Sequence, residues 1–541
     1  MQIARPPWWQ TATIYQVYRR SFQDSDGDGV GDLRGLASRL SYLAELGIDA
    51  IWLSPIFRSP MKDFGYDISS YVDIDPMFGT MADFDTLLAA AHEQGLRLLL
   101  DLVPNHTSDQ HPWFVESRSS RRNARREWYL WRDQAPNGGP PNNWLSEFGG
   151  SAWQFDAASE QYYYHAFLAE QPDLNWRNPA VVETMHDVMR FWLRKGVDGF
   201  RVDVIWHLIK DAQFRDNPEN PRYVAGAPPN QRLVPLYTTD LPEVHNVIRG
   251  LRQVIDEFPE RLLIGEVYLP LNRLVTYYGN DLGEAHLPFN FSLLETRWHA
   301  RDIAKLVDGY EAALPQGGWP NWVLGNHDRP RIATRVGSAQ ARIAAMLLLT
   351  LRGTPTIYYG DEIGLPQVPI PAESIRDPLE KNMPGIGVGR DGARTPMQWN
   401  CSAFAGFSSS EPWLPLSVDW ATRNVETLRQ DKNSIYVLYR RLIEARRHSL
   451  ALRRGLYRPI PSKGDLLLYV REFGSERMLM ALNLGATSAT VGFWTGFKGA
   501  VFISTSSERD GDLIDETVRL DADEGLVIAL APEAELPSVS E

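Results

Sequence analysis

The stretch Lys195-Gly196-Val197-Asp198-Gly199-Phe200-Arg201-Val202-Asp203-Val204 decides the fold, because it joins the end of one element to the start of the next. Before it, residues 180–195 carry apolar side chains at helical spacing. Gly196 stands where a helix C-terminus needs a left-handed residue. After it, residues 199–204 form a short apolar strand, and Arg201 and Asp203, two apart, point to the same side of it. The same join recurs at Leu46-Gly47-Ile48-Asp49 and at Gln94-Gly95-Leu96.

Working outward, strands are expected at 13–18, 48–54, 96–103, 199–204, 262–267, 285–289, 322–324 and 354–359. Helical spacing marks 33–46, 81–94, 180–195 and 339–351. Alternating strands and helices imply a parallel sheet, and eight units imply an α/β fold closed into a (β/α)8 TIM barrel. An open doubly wound sheet is the competing arrangement on pattern alone. Two stretches break the rhythm. Residues 105–172 are too long for a βα loop and are read as a subdomain inserted after strand 3. Residues 454–541 change to short alternating runs, read as a C-terminal antiparallel β-sandwich. The barrel is thus assigned 1–104 and 173–453.

Composition narrows the class. The 541 residues, 43% hydrophobic, are enough for a large barrel with appendages. A formal net charge of −13 disfavours nucleic acid or an anionic membrane as partner. Cys401 is the only cysteine, so neither an intramolecular disulfide nor a thiolate zinc site is expected. The first residues carry no apolar signal-peptide run, and no stretch of about 20 apolar residues occurs. A cytoplasmic protein is expected, monomeric or homo-oligomeric.

Polar residues gather where the strands end: His106 after the third, Arg201 and Asp203 on the fourth, Glu266 on the fifth, His327 and Asp328 after the seventh. Barrel strands converge at one mouth, so residues distant in sequence meet there. Arg201 is expected to keep Asp203 ionised, as a nucleophile must be. Glu266, among like charges, is expected to have a raised pKa and to donate a proton.

The blocks 101–106, 199–203, 265–267 and 326–328, with further matches at 47–55, 171–175 and 353–363, closely resemble the α-amylase superfamily, glycoside hydrolase family 13. Gln171-Pro172-Asp173-Leu174-Asn175 resembles the bacterial exo-α-glucosidase and oligo-1,6-glucosidase branch. The resemblance implies a retaining exo-α-glucosidase that releases terminal glucose through a covalent glucosyl-enzyme, with transglucosylation. Asp203 would be the nucleophile, Glu266 the general acid/base and Asp328 the transition-state stabiliser, with the first two about 5–5.5 Å apart. His106, Arg201 and His327 would contact the sugar. Asp67, of Phe64-Gly65-Tyr66-Asp67, and Arg394 would pair and floor the pocket, with Tyr66 stacked under the ring. Phe148 would line the pocket. Val204 leans toward isomaltose-type links and Arg329 toward an altered acceptor preference. Expected partners are small α-glucosides (maltose, isomaltose type, aryl glucosides) and acceptor alcohols. No cofactor is expected for catalysis.

Asp24-Ser25-Asp26-Gly27-Asp28-Gly29-Val30-Gly31-Asp32 alternates acids as an EF-hand loop begins, although Gly35 stands where its final Glu would be. Asp24, Asp26, Asp28, the Val30 carbonyl and Asp32 suit a structural Ca²⁺, with Mg²⁺ second. The arginine run Arg118, Arg121, Arg122, Arg125 and Arg126 is read as a solvated helix face. Competing functions are a transferase or isomerase of the trehalose synthase or sucrose isomerase type, a non-catalytic binding homologue and an endo-amylase. Glu266-Val267-Tyr268-Leu269-Pro270 departs from the first, three retained acids from the second, and a closed pocket from the third.

Overall fold

Eight short strands line one barrel: β1 (Ile14–Val17), β2 (Ala50–Leu53), β3 (Arg97–Leu102), β4 (Gly199–Val202), β5 (Leu262–Val267), β6 (Leu287–Asn290), β7 (Asn321–Val323) and β8 (Thr354–Tyr358). They come from a computed structural model that describes residues 6–136, 138–461, 464–493 and 496–531. All pair in parallel, in the order β6-β5-β4-β3-β2-β1-β8-β7. Each strand is followed by a helix: α1 (Leu40–Leu46), α2 (Met81–Glu93), α3 (Pro179–Lys195), α4 (Val244–Asp256), the single turn α5 (Leu271–Leu274), α6 (Ala300–Ala313), α7 (Ser338–Thr350) and α8 (Ile435–His448). The (β/α)8 barrel expected from the strand–helix rhythm is therefore present.

The local reasons are legible. Gly196 caps α3 at φ 105°, in the left-handed region. Gly199 opens β4 so close to β5 that a Cβ there would lie 2.1 Å from the Leu262 carbonyl oxygen. The helix expected over 33–46 is broken at Arg39, whose φ/ψ of −108°/4° separates Leu33–Ser38 from α1. The strand expected over 199–204 ends at Val202, because Val204 turns into the left-handed region at φ 36°, ψ 48°.

β6 and β7 are neighbours without a regular ladder. Pro288 in β6 has no N–H to give. The fully buried Asn321 side chain closes the seam instead: its Oδ1 accepts from Asn290 N at 3.0 Å, and its Nδ2 donates to the Pro288 carbonyl at 2.5 Å.

Between β3 and α3 lie a helix, Pro112–Ser119, and a three-stranded antiparallel sheet with Gln161–Tyr164 between Trp131–Asp133 and Trp153–Asp156. Trp144, Trp153 and Tyr164 pack there against Phe214 from the loop after β4. Arg118, Arg121 and Arg122 of the arginine run are exposed, as expected of a solvated face, but Arg126 is not. Arg126 is buried over the Trp131 ring at 3.4 Å, Arg118 pairs with Asp156 at 2.7 Å, and Arg121 donates to the Ser159 carbonyl at 2.5 Å. These arginines fasten the helix onto the sheet, because aromatic faces and inward carbonyls are there to receive them.

The C-terminal strands β9 (Leu456–Ile460), β10 (Leu466–Phe473), β11 (Glu476–Asn483), β12 (Ala489–Gly492), β13 (Lys498–Ser504), β14 (Leu513–Asp515), β15 (Thr517–Leu520) and β16 (Gly525–Leu530) form one antiparallel sheet, ordered β9-β10-β11-β16-β13-β14-β15-β12. Side chains alternate between its faces. Tyr469, Met480 and Leu482 join the core under α7, whereas Leu468, Val470 and Leu479 meet Val491, Val518 and Leu520 as the sheet folds over itself. The sandwich is thus one continuous sheet. Arg471 ties it to the barrel by donating to the Thr350 carbonyl at the end of α7, at 2.6 Å.

Asn321→Ala removes the donor and acceptor that seal the barrel, leaving buried backbone groups unpartnered. The variant is expected to lose about 1–3 kcal/mol of stability. Urea denaturation followed by tryptophan fluorescence checks this; an unchanged midpoint would show that the seam is held elsewhere.

Candidate active site

The C-terminal ends of the strands bring together every acid and base that the sequence places there. At the centre is Arg201, fully buried on β4 over the Trp52 ring at 4.9 Å. Its Nη1 donates to Asp101 Oδ1 and Asp203 Oδ1, each at 2.7 Å, and its Nη2 lies 2.8 Å from Glu266 Oε2. Glu266 Oε2 also accepts from Val204 N at 2.9 Å. Val204 is β-branched and left-handed, a combination that costs about 1–3 kcal/mol, and that backbone turn is what aims its N–H at Glu266.

Asp203 and Glu266 meet on one guanidinium, at Nη1 and Nη2 of Arg201. Burial first, and then the Glu266 carboxylate, push Asp203 well up from its ordinary pKa, against the pull of Arg201. This corrects the expectation that Arg201 alone holds Asp203 ionised. One guanidinium is shared among three acids, and two adjoining carboxylates keep a proton between them rather than both ionise. Asp101, pushed up to about 6 by burial against Arg201, also accepts from Trp52 Nε1 at 3.1 Å and Tyr66 Oη at 3.0 Å.

Asp328 follows β7. Burial alone would raise it, but the guanidinium groups of Arg390, Arg394 and Arg201 outweigh burial and hold the acid ionised. Arg394 Nη2 donates to Asp328 Oδ1 at 2.8 Å, and its Nε to the His327 carbonyl at 2.8 Å. Burial keeps the His327 ring neutral. Gln16 Nε2 donates to its Nδ1 at 2.8 Å, so its Nε2–H faces Tyr66 Oη, 2.7 Å away. Tyr66 stacks on this ring at 5.4 Å and 5°. Burial lowers His106 to about 4, so it too is neutral; it contacts the Tyr66 carbonyl at 3.1 Å.

The expected pair of Asp67 with Arg394 does not form. Asp67 turns inward and accepts the backbone N–H groups of Lys62 and Asp63 at 2.8 and 2.9 Å. Asp63, four residues earlier, reaches the site instead. Its partner is Arg390, whose Nη2 lies 2.9 Å from Asp63 Oδ1 and 2.8 Å from Asp377 Oδ1, while Nη1 lies 3.3 Å from Asp328 Oδ1. Phe148, from the inserted segment, lies under the Arg390 guanidinium at 5.3 Å and edge-on to Phe167. Sequence reading missed Asp63, Asp377 and Arg390. Their only signal was proximity: Gly389-Arg390-Asp391-Gly392-Ala393-Arg394 offers two arginines one turn apart, and the loop after β2 offers two aspartates. Arg329 sits further out, exposed, over the Tyr268 ring at 4.9 Å and 3.4 Å from Glu295.

The acidic loop lies apart from this centre. Carboxylate oxygens of Asp24, Asp26 and Asp28 lie within 4.8 Å of one another, a spacing that a hard cation can bridge. Asp32 does not join that group. Its oxygens accept from Ser25 N, Ser25 Oγ and Gly35 N, because it caps the helix Leu33–Ser38. Val30 meets the cluster through its N–H, which donates to Asp28 Oδ1 at 2.8 Å. Among the described residues, no helix is long and apolar enough to cross a membrane.

The catalytic-domain model of alpha amylase matches residues 16–455. The protein named "Probable alpha-glucosidase" of Rhizobium meliloti (strain 1021) is 44% identical over 498 residues, covering 89% of this chain and 90% of the relative. The oligo-1,6-glucosidase of Parageobacillus thermoglucosidasius is 38% identical over 516 residues, covering 88% and 90%. A solved alpha-glucosyl transfer enzyme superposes with a TM-score of 0.93 at 39% identity, covering 97% of this chain and 100% of that one.

Arg390→Ala would strand three carboxylates. Burial alone would raise Asp377, but Arg390 overcomes it and brings the acid down to about 2. A depressed carboxylate stabilises the fold above its unfolded pKa near 4, and that contribution fades as pH falls through the folded value. The variant is therefore expected to be about 3–5 kcal/mol less stable at neutral pH, with the gap closing below about pH 4. Thermal melts of both proteins across pH test this; a gap that widens toward acid would refute the pairing.

Proposed function

The chain belongs to the α-amylase catalytic-domain family of glycoside hydrolases, and from that membership we propose that it is a retaining exo-α-glucosidase acting on short α-glucosides. The observation that carries this reading is the contact of Asp203 with Glu266 across one arginine. An inverting pair needs about 6.5–9.5 Å between carboxyl groups to hold a water, whereas two acids seated on one guanidinium suit the closer spacing of a retaining pair. One proton held between two acids also serves both roles. Resting on Glu266 Oε1, it is the proton for the leaving oxygen, and Asp203 is then ionised for attack on the anomeric carbon. Oxygen departs with that proton as the Asp203–sugar bond forms. Water, deprotonated by Glu266, then breaks that bond and restores both acids. Asp328, held as an anion, stabilises the positive charge on the sugar in each step.

Exo action is proposed to rest on the Asp63–Arg390–Asp377 cluster, whose ion pairs adjoin Asp328 and would close the site beyond it to all but a terminal sugar. Transfer to an acceptor alcohol in place of water is part of the proposal, favoured by the close superposition on an alpha-glucosyl transfer enzyme. His106, Arg201, His327, Tyr66 and Phe148 are proposed to contact the sugar. Val204 and Arg329 are proposed to face the side on which the leaving group and acceptor would bind.

Asp203→Asn is expected to lower turnover of an aryl α-glucoside by at least about 10³-fold. Proton NMR of the parent's first product should show α-glucose; β-glucose would refute retention. Maltose, isomaltose and sucrose, with products followed over time, separate hydrolysis from transfer and from isomerisation.

The acidic loop is proposed to hold a structural Ca²⁺ on Asp24, Asp26 and Asp28. Ca²⁺ is expected to raise the Tm saturably, by more than Mg²⁺ does, and Asp26→Asn to abolish the rise. Equal melts with Ca²⁺ and with a chelator would refute the site.

A further inference from the structure

At the other end of the barrel, where the strands begin, lies a cavity of about 980 Å³ that the glucosidase chemistry does not use. Its walls are Trp8 and Thr11 before β1, Asp49 before β2, Arg97 at the start of β3 and Glu260 before β5. Arg447 at the end of α8, followed by Arg453 and Arg454, complete it. Four guanidinium groups thus face two carboxylates.

Both carboxylates are already engaged. Asp49 pairs with Arg447 at 2.8 Å and also accepts from Thr13 N at 2.8 Å. Glu260 pairs with Arg97 at 3.2 Å, and Arg97 is further held by Asp198 at 3.2 Å and by the Trp8 ring at 4.5 Å. Among the described residues, Arg453 and Arg454 have no carboxylate partner. Arg453 donates only to Thr11 Oγ1, at 3.2 Å, and its Nε is buried without a hydrogen-bond partner. Arg454 rests over the Phe473 ring at 5.4 Å. Two uncompensated cations converging on one cavity, in a chain of net charge −13, call for an anion. Guanidinium forks match the oxygens of a tetrahedral phosphoryl group. The cavity has room for more than a bare ion.

We propose that this cavity binds a small phosphoryl anion, either free phosphate or the phosphate of a sugar ester, between Arg453 and Arg454. The site is separate from the catalytic mouth, so the proposal stands or falls independently of the glucosidase reading.

Titration of the whole protein with inorganic phosphate and with glucose 6-phosphate, at an ionic strength held constant with NaCl, tests this by calorimetry and Tm. Saturable binding is expected, weakened at least 10-fold in Arg453→Ala/Arg454→Ala, with hydrolysis of an aryl glucoside unchanged. Arg453→Lys/Arg454→Lys, which keeps both charges, is expected to retain most of the affinity and guards against a folding defect in the alanine variant. Tighter binding of the ester identifies a sugar phosphate as the ligand, and equal binding identifies free phosphate. Absence of saturable binding, or equal affinity in parent and alanine variant, would overturn the proposal.

Discussion

One buried guanidinium organises this molecule's chemistry. Arg201 is sealed from water and faces Asp101, Asp203 and Glu266 at once. A buried cation must be paired, and a buried trio of acids must be neutralised or protonated. The two requirements are met together but not completely, since one positive charge cannot balance three negative ones. Burial and the Glu266 carboxylate accordingly raise Asp203 against the pull of Arg201. The barrel supplies what makes this possible. Parallel register sets Asp101 beside Arg201 on neighbouring strands, and β5 carries Glu266 across from Val204.

A second cation closes the site. Arg390 draws the loops after β2, β7 and β8 onto one point through Asp63, Asp328 and Asp377, and the inserted segment lays Phe148 against it. Four stretches spread between residues 63 and 390 are thereby fixed relative to one another. Asp328 gains an ionised state that burial alone would deny it. The stabilisation of the pocket and the charge state of its third acid are therefore one electrostatic arrangement.

Charge also distinguishes the two ends of the barrel. Acids dominate the mouth, where the strands end. Arginines dominate the opposite face, where α8 and the short helix Leu450–Arg454 lead toward the C-terminal sheet. That junction holds further buried arginines. Arg446 and Arg471 donate to carbonyls at and beyond the end of α7. Carbonyls at a helix C-terminus carry partial negative charge and have no intrahelical partner, so they hold these cations without a carboxylate.

The sequence by itself determined the barrel, its inserted segment and the identity of the central acids. Helix periodicity, glycine caps and strand alternation are local, and eight repeats of a local unit favour a closed barrel over an open doubly wound sheet. Asp203, Glu266 and Asp328 were legible because strand ends in a barrel share one mouth. What only the tertiary structure decided was which neighbour each charge meets. Asp63 rather than Asp67 faces the site, because Asp67 is consumed by two backbone N–H groups of its own turn. Arg390, not Arg394, takes Asp63, and Asp32 caps a helix instead of joining Asp24, Asp26 and Asp28. The raised pKa at Asp203 likewise depends on burial and on how one arginine divides its charge. Spacing along a chain cannot encode these outcomes, since they follow from distances and desolvation in three dimensions.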